Sequence, residues 1–155
     1  MKIPSVDLPR QHQQLSGAIH TAIDRVMRRG DFILGEALAR FEEAFARYCG
    51  VAYAVGVNSG TDALWLGLTS LGIGPGDEVI TTAYSFFATG SAIALTGARP
   101  ALVDIDPATY NLDPAQVEAA ITKRTKAILV VHLFGQPADM DRLIRLARRY
   151  RLALI

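Results

Sequence analysis

Cysteine is almost missing from this sequence: Cys49 stands alone among 155 residues. That excludes an internal disulfide and any cysteine-based metal cluster, and it leaves a buried small hydrophobe as the default reading of the residue. An excess of either charge is missing too, with 16 basic and 15 acidic residues and a formal net charge of +1. Such a balance carries no electrostatic footprint for nucleic acid or for an anionic membrane surface, and neither partner is expected. The one local accumulation, Arg142, Arg145, Arg148, Arg149 and Arg151, reads as the solvated face and C-terminal end of a helix, without the interleaved aromatics of nucleic-acid binders. No apolar run reaches membrane-spanning length and the start is not signal-like, so a cytoplasmic protein is expected. Neither a G-x-G-x-x-G turn nor a G-x-x-x-x-G-K-[ST] loop occurs, which argues against nicotinamide and nucleoside-triphosphate chemistry. There is no internal repeat and no low-complexity segment.

What the sequence does have is a core. Half of its residues are hydrophobic, enough for one domain with a sizeable interior. Residues 1–10, with Pro4 and Pro9, look like an extended arm. Leu15, Ile19, Ile23 and Val26 then recur at helical spacing, and Arg28-Arg29-Gly30 closes that helix with cations and a glycine. A loop over 31–35 leads to a second helix with Leu38, Phe41, Phe45 and Tyr48 on one face and Gly50 as its stop. Two helices in 1–50 therefore precede the first strand, and 51–155 alternates strands with helices.

The first expected strand is Tyr53–Val57, apolar and β-branched enough to be buried. Leu64, Trp65, Leu68 and Leu71 follow it at helical spacing. Dense turn residues at 72–77 introduce a strand at Glu78–Ala83, then a buried helix at Tyr84–Thr96, rich in Phe and Ala. A third strand covers Ala101–Ile105. Asp113-Pro114 is a helix N-cap followed by proline at the first helical position, starting a short helix to Ile121. Lys126–Leu133 reads as a strongly apolar fourth strand, Met140, Leu143, Ile144 and Ala147 as a last helix, and Leu152–Ile155 as the start of a fifth strand. Strands alternating with helices at this spacing imply an α/β fold with a mainly parallel sheet covered on both faces. In such sheets a ligand lies beyond the carboxyl ends of the strands, so the turns after Val57, Ala83, Val103 and Val131 are the places to search.

Ser59-Gly60-Thr61 occupies the first of those turns. Unpaired backbone N–H groups and the dipole of a helix start favour negative charge there, Gly60 lets a phosphate approach the backbone, and the two hydroxyls can donate to it. The alternative is that Ser59 or Thr61 simply caps the helix. After the second strand, Phe86 is preferred to Phe87 and Tyr84 as an aromatic that stacks on a planar ring; the alternative is a core phenylalanine. Asp104 and Asp106 read as turn residues rather than paired carboxylates. His132 either lines the site or is a satisfied structural group, and metal ligation has no Cys, His or carboxylate partner to support it.

Six stretches in order carry a resemblance: Gly50–Leu64 with its run Val57-Asn58-Ser59-Gly60-Thr61-Asp62-Ala63-Leu64, Leu71–Ile80, Ser85–Thr89, Gly97–Asp106, Ala120–Ala127 and His132–Met140. Together they resemble the N-terminal part of the large domain of the DegT/StrS family of pyridoxal-phosphate-dependent sugar aminotransferases, which have the aspartate aminotransferase (fold type I) architecture. The resemblance implies pyridoxal 5'-phosphate as cofactor, its phosphate held at Gly60, Thr61 and Asp62 through backbone N–H groups and the threonine hydroxyl, and its ring stacked on Phe86. It places residues 30–35 near a sugar nucleotide. It also implies a nucleotide-linked keto sugar as acceptor, an amino donor such as glutamate, and a homodimer in the intact form.

The same resemblance places a pyridine-pairing aspartate and a Schiff-base lysine beyond Ile155, together with the small C-terminal domain. The lysines present are Lys2, Lys123 and Lys126; the last two fall at the amino end of the fourth strand, away from the ligand edge. The expectation is a chain that carries no catalytic residue of its own and is inactive alone. Two other outcomes are a sugar dehydratase of the same fold that uses the pyridoxamine form, and a non-catalytic sugar-nucleotide-binding or assembly module.

Overall fold

The computed structural model describes residues 5–155, so Lys2 and Pro4 lie outside it. The chain divides into two compact units, one ending at Gly56 and the other running Val57–Ile155.

The first unit holds two helices. Helix α1 (Leu8–Arg29) starts where the Asp7 carboxylate accepts the Arg10 N–H at 3.1 Å, with Pro9 in the first turn. Proline costs nothing there, because a first-turn N–H has no intrahelical acceptor. The arm expected over 1–10 is therefore helical from Leu8 onward. The helix ends at Gly30, in the left-handed region at φ 71. Helix α2 (Glu36–Cys49) ends in the same way at Gly50, so both glycine stops read from the sequence are Cβ-free positions that the chain reversal requires. Between the helices the Asp31 carboxylate accepts from Arg29 Nε at 3.1 Å and from the Glu36 N–H at 3.2 Å. A Cβ at Gly35 would lie 2.2 Å from the Asp31 carbonyl oxygen. Neither helix is covered. None of the residues of α1 is buried and only Ala46 of α2 is. Cys49 is exposed, not buried as composition suggested; it closes the last turn of α2, where no described side chain packs over it.

The expected buried strand at Tyr53–Val57 does not form. The segment belongs to no strand, and Tyr53 and Val55 are 87% and 79% exposed. An apolar run becomes a strand only by hydrogen bonding to a neighbour, and this one pairs with none of the four described strands.

The second unit carries the sheet. Helix α3 (Gly60–Ser70) precedes β1 (Glu78–Thr82); then come α4 (Phe87–Leu95), β2 (Arg99–Val103), α5 (Pro114–Ala120), β3 (Thr125–Ile128), α6 (Met140–Tyr150) and β4 (Ala153–Leu154). The strand order is β2-β1-β3-β4 and every pairing is parallel. Ile80 is level with Ala101 on one side and Ile128 on the other. Strand alternation sends neighbouring residues to opposite faces. Val79, Ala127 and Leu129 pack with Leu68, Ala92 and Ile93 of α3 and α4, whereas Ile80 and Ile128 pack with Val117, Leu143 and Leu146 of α5 and α6. The sheet is thus buried on both faces, as crossover connections between parallel strands demand. The strand bounds differ from those expected: β1 stops at Thr82, β2 lies two residues earlier at Arg99–Val103, and β3 stops at Ile128, with Leu133–Gly135 forming a single 3-10 turn. Among the described residues no helix is long and apolar enough to cross a membrane.

Candidate functional site

Helix α3 enters β1 through a turn at the strand's amino end, where Gly72 and Gly76 take left-handed conformations at φ 73 and φ 91. At 11 residues the helix is about 16 Å long, and the five-residue strand is about as long. The helix N-terminus is thereby returned to the carboxyl edge of the sheet. Ser59 caps it: its Oγ accepts the Asp62 N–H at 3.0 Å and donates to Asp62 Oδ2 at 2.8 Å. The capping role weighed for Ser59 is therefore real, and it uses the Asp62 N–H. The N–H groups of Gly60 and Thr61 and the Thr61 hydroxyl have no protein acceptor among the described residues. A Cβ built on Gly60 meets nothing within 4 Å. Three donors thus stand without an acceptor at the positive end of a helix, the arrangement that receives an anion.

The loop after β1 leads to the same edge. Thr82 Oγ1 accepts the Tyr84 N–H at 3.0 Å, and Ser85 and Thr89 share a hydroxyl–hydroxyl bond of 2.7 Å across the first turn of α4. These bonds set Phe86 at the N-cap of α4 in an extended conformation, and the residue is 79% exposed. A core role for Phe86 is thereby excluded within this chain. Phe87 is exposed as well, while Ala88, Thr89, Ala92 and Ile93 are the buried residues of the helix.

After β2, the Tyr110 ring lies 6.0 Å from that of Tyr84, and Tyr110 itself has φ 60. Asp104 and Asp106 are turn-formers: Asp104 Oδ1 accepts the Ile105 N–H at 2.8 Å and Asp106 Oδ1 the Ala108 N–H at 2.7 Å. After β3, His132 is exposed and its Nδ1 accepts the Ala138 N–H at 3.2 Å. Lys126 lies in β3 and Lys123 before it, at the amino edge of the sheet. The arginines from 142 to 151 lie on or just after α6 and are exposed; one of them, Arg149, pairs with Glu118 of α5 at 2.9 Å.

Two residues escaped the reading of the sequence. Asn111 is buried; its Oδ1 accepts the Leu133 N–H at 3.0 Å and its amide donates to the carbonyls of Gln136 at 3.0 Å and Pro137 at 3.3 Å. Glu78, at the opposite edge, is 1% exposed and takes Thr122 Oγ1 at 2.6 Å, Arg124 Nη2 at 2.8 Å and Arg99 Nη2 at 2.9 Å. The Thr122 hydrogen bond, followed by the two guanidinium groups, holds its carboxyl below the ordinary glutamate value against the opposing effect of burial. No local pattern signals either residue, because each joins segments more than twenty positions apart.

Parallel strands with helices on both faces, and an open helix N-terminus sharing the carboxyl edge with an exposed aromatic, define an open α/β unit with its ligand edge at the carboxyl ends of the strands. The chain belongs to the DegT/DnrJ/EryC1/StrS aminotransferase family, whose sequence pattern matches residues 13–155. It is 49% identical over its whole length to a "Pleiotropic regulatory protein" of Geobacillus stearothermophilus, and covers 42% of that protein. It is 47% identical over 99% of its length to the dTDP-3-amino-3,4,6-trideoxy-alpha-D-glucose transaminase of Streptomyces venezuelae, covering 41% of it. Among solved structures it superposes on S. venezuelae DesV in complex with a ketimine intermediate with a TM-score of 0.95 at 48% identity, over 99% of this chain and 41% of that one. The structure of ntda from Bacillus subtilis with bound cofactor PMP matches with a TM-score of 0.93 at 40% identity, over 99% of this chain and 35% of that one. The chain therefore spans about two fifths of the length of the curated relatives it matches.

Proposed function

We propose that this chain is the phosphate-gripping and ring-stacking part of a pyridoxal-5'-phosphate site, in a protein that transfers an amino group to a nucleotide-linked keto sugar. The observation that carries the reading is the start of α3, where the N–H groups of Gly60 and Thr61 and the Thr61 hydroxyl are free and the space over Gly60 is open. These donors fit a phosphate, and the Phe86 ring at the same edge fits a planar heterocycle. Asp62 serves through its carboxylate, which keeps the Ser59 hydroxyl in its capping position, rather than through its N–H. Gly60 and Thr61 bind the phosphate dianion by charge-assisted hydrogen bonds, and Phe86 orients the ring and excludes water from one of its faces. When bound, pyridoxal phosphate supplies an electron sink for a carbanion beside nitrogen. The activity named for the S. venezuelae transaminase supports a nucleotide-linked keto sugar as acceptor. An amino donor such as glutamate, a homodimeric assembly and a cytoplasmic location complete the reading.

A second reading, a non-catalytic sugar-nucleotide-binding or assembly module, is favoured by one observation: Lys123 and Lys126 stand at the amino edge, away from the site. One experiment separates what the chain does from what it lacks. Absorbance titration of the 155-residue chain with pyridoxal phosphate is expected to saturate, pyridoxal without the phosphate to bind far more weakly, and borohydride to trap no lysine. Equal affinity for the two compounds would refute the phosphate grip, and one lysine trapped stoichiometrically would refute non-covalent binding.

A further inference from the structure

His132 is a side chain that the proposed phosphate grip and ring stack leave unused. Three features of its setting belong together. Strand β3 lies directly beside β1, with the Leu129 N–H donating to the Ile80 carbonyl at 2.9 Å and Thr81 Oγ1 to the Leu129 carbonyl at 2.9 Å. The loop that carries Phe86 and the loop that carries His132 thus leave the sheet from neighbouring strands about 5 Å apart, at the same edge. Second, a backbone hydrogen bond orients the imidazole. Its Nδ1 accepts the Ala138 N–H at 3.2 Å, so the neutral ring carries its proton on Nε2. Third, the loop behind it is tied by hydrogen bonds and includes a strained backbone position. Phe134 and Gly135 adopt φ 55 and φ 80. The buried Asn111 binds three backbone groups of residues 133–137. A non-glycine residue in the left-handed region is held only where its surroundings over-determine it. What this construction presents, at the ligand edge, is a single N–H donor with no protein acceptor among the described residues.

We propose that His132 is a further cofactor-binding residue: its Nε2–H donates to an oxygen on the ring edge of pyridoxal phosphate held by Gly60, Thr61 and Phe86. This rests on the cofactor reading above. A cap-and-turn role alone would need only Nδ1, whereas a ligand role needs Nε2, and two substitutions separate the nitrogens. In His132→Asn the amide oxygen stands where Nδ1 was and still accepts from Ala138, but nothing reaches the Nε2 position. In His132→Gln the amide nitrogen reaches the Nε2 position and donates there.

Titration of the 155-residue chain with pyridoxal phosphate is expected to show His132→Asn weakened by roughly tenfold, the loss of one hydrogen bond, with an unchanged melting temperature. His132→Gln is expected to stay within about threefold of wild type. Long-range proton–nitrogen NMR correlation is expected to find the proton on Nε2 at neutral pH. Binding by His132→Asn at least as tight as by His132→Gln, or a proton on Nδ1, would overturn the assignment. If Thr61→Ala weakens binding while neither His132 variant does, His132 alone is refuted. If the wild-type chain does not saturate at all, the cofactor reading falls and His132 with it.

Discussion

The start of α3 separates folding from binding on adjacent residues, and two alanine substitutions test that separation. Ser59 caps the helix through the Asp62 N–H, while Thr61 makes no hydrogen bond through its hydroxyl to any described residue. Ser59→Ala removes the cap and leaves Asp62 N–H without its acceptor, which costs about 1 kcal/mol and lowers Tm by about 2–4 °C in a chain of this length. Thr61→Ala removes no internal bond, and alanine is the better helix former by about 0.5 kcal/mol, so Tm is expected to stay or rise slightly. Its effect falls on the ligand. Of the three donors left without an acceptor at the start of α3, it deletes the one side-chain donor, a charge-assisted bond of about 1.5–3 kcal/mol. Affinity for pyridoxal phosphate should therefore fall by roughly 10- to 150-fold. Calorimetry supplies Tm, and absorbance titration supplies Kd on the same samples. Wild-type affinity in Thr61→Ala would refute the placement of the phosphate. A fall in Tm for Thr61→Ala as large as that for Ser59→Ala would refute the division of labour between the two hydroxyls.

The Glu78 carboxyl is held below the ordinary value of 4.5, so it contributes stability that is fully present above that pH and is lost as pH falls through its lower folded value. The difference in Tm between wild type and Glu78→Gln is accordingly expected to shrink as pH is taken from 6 to below about 4; a difference that stays constant would refute the ion cluster as its source. The apolar stripes of α1 and α2, with Leu15, Ile19, Ile23, Phe41 and Phe45 all exposed, are the kind of surface that marks an interaction face. Light scattering is expected to give a mass above that of one 155-residue chain, and a monodisperse monomer that melts cooperatively would contradict it.

Much of this fold is legible in the sequence because its signals are local. A cap, a proline at the first helical position or a left-handed glycine acts within one turn of chain, so Asp113-Pro114, Gly30 and Gly50 mark helix ends where the structure has them. Helical periodicity likewise identifies α2, α3 and α6, since side chains three and four apart share a face whatever lies opposite. The start of α3 and the loop after β1 could be placed at the carboxyl edge of the sheet, where candidate ligand positions are sought, because alternating strands and helices leave few topologies for a parallel sheet. Tertiary structure alone decided the rest. Tyr53–Val57 has the composition of a buried strand, yet Tyr53 and Val55 are exposed and the segment is in no strand, because every ladder hydrogen bond of a strand needs a neighbour. Composition favoured burial of Cys49, but burial requires something packed above the residue, and nothing among the described residues is. Only the register of β1 between β2 and β3 brings Arg99, Thr122 and Arg124 onto Glu78, and only the folding of residues 132–138 over Asn111 places Ala138 against His132 Nδ1. The sequence determined by itself where the chain turns and which helical faces are apolar; which groups meet was decided by the sheet, because meeting depends on distances set by partners far along the chain.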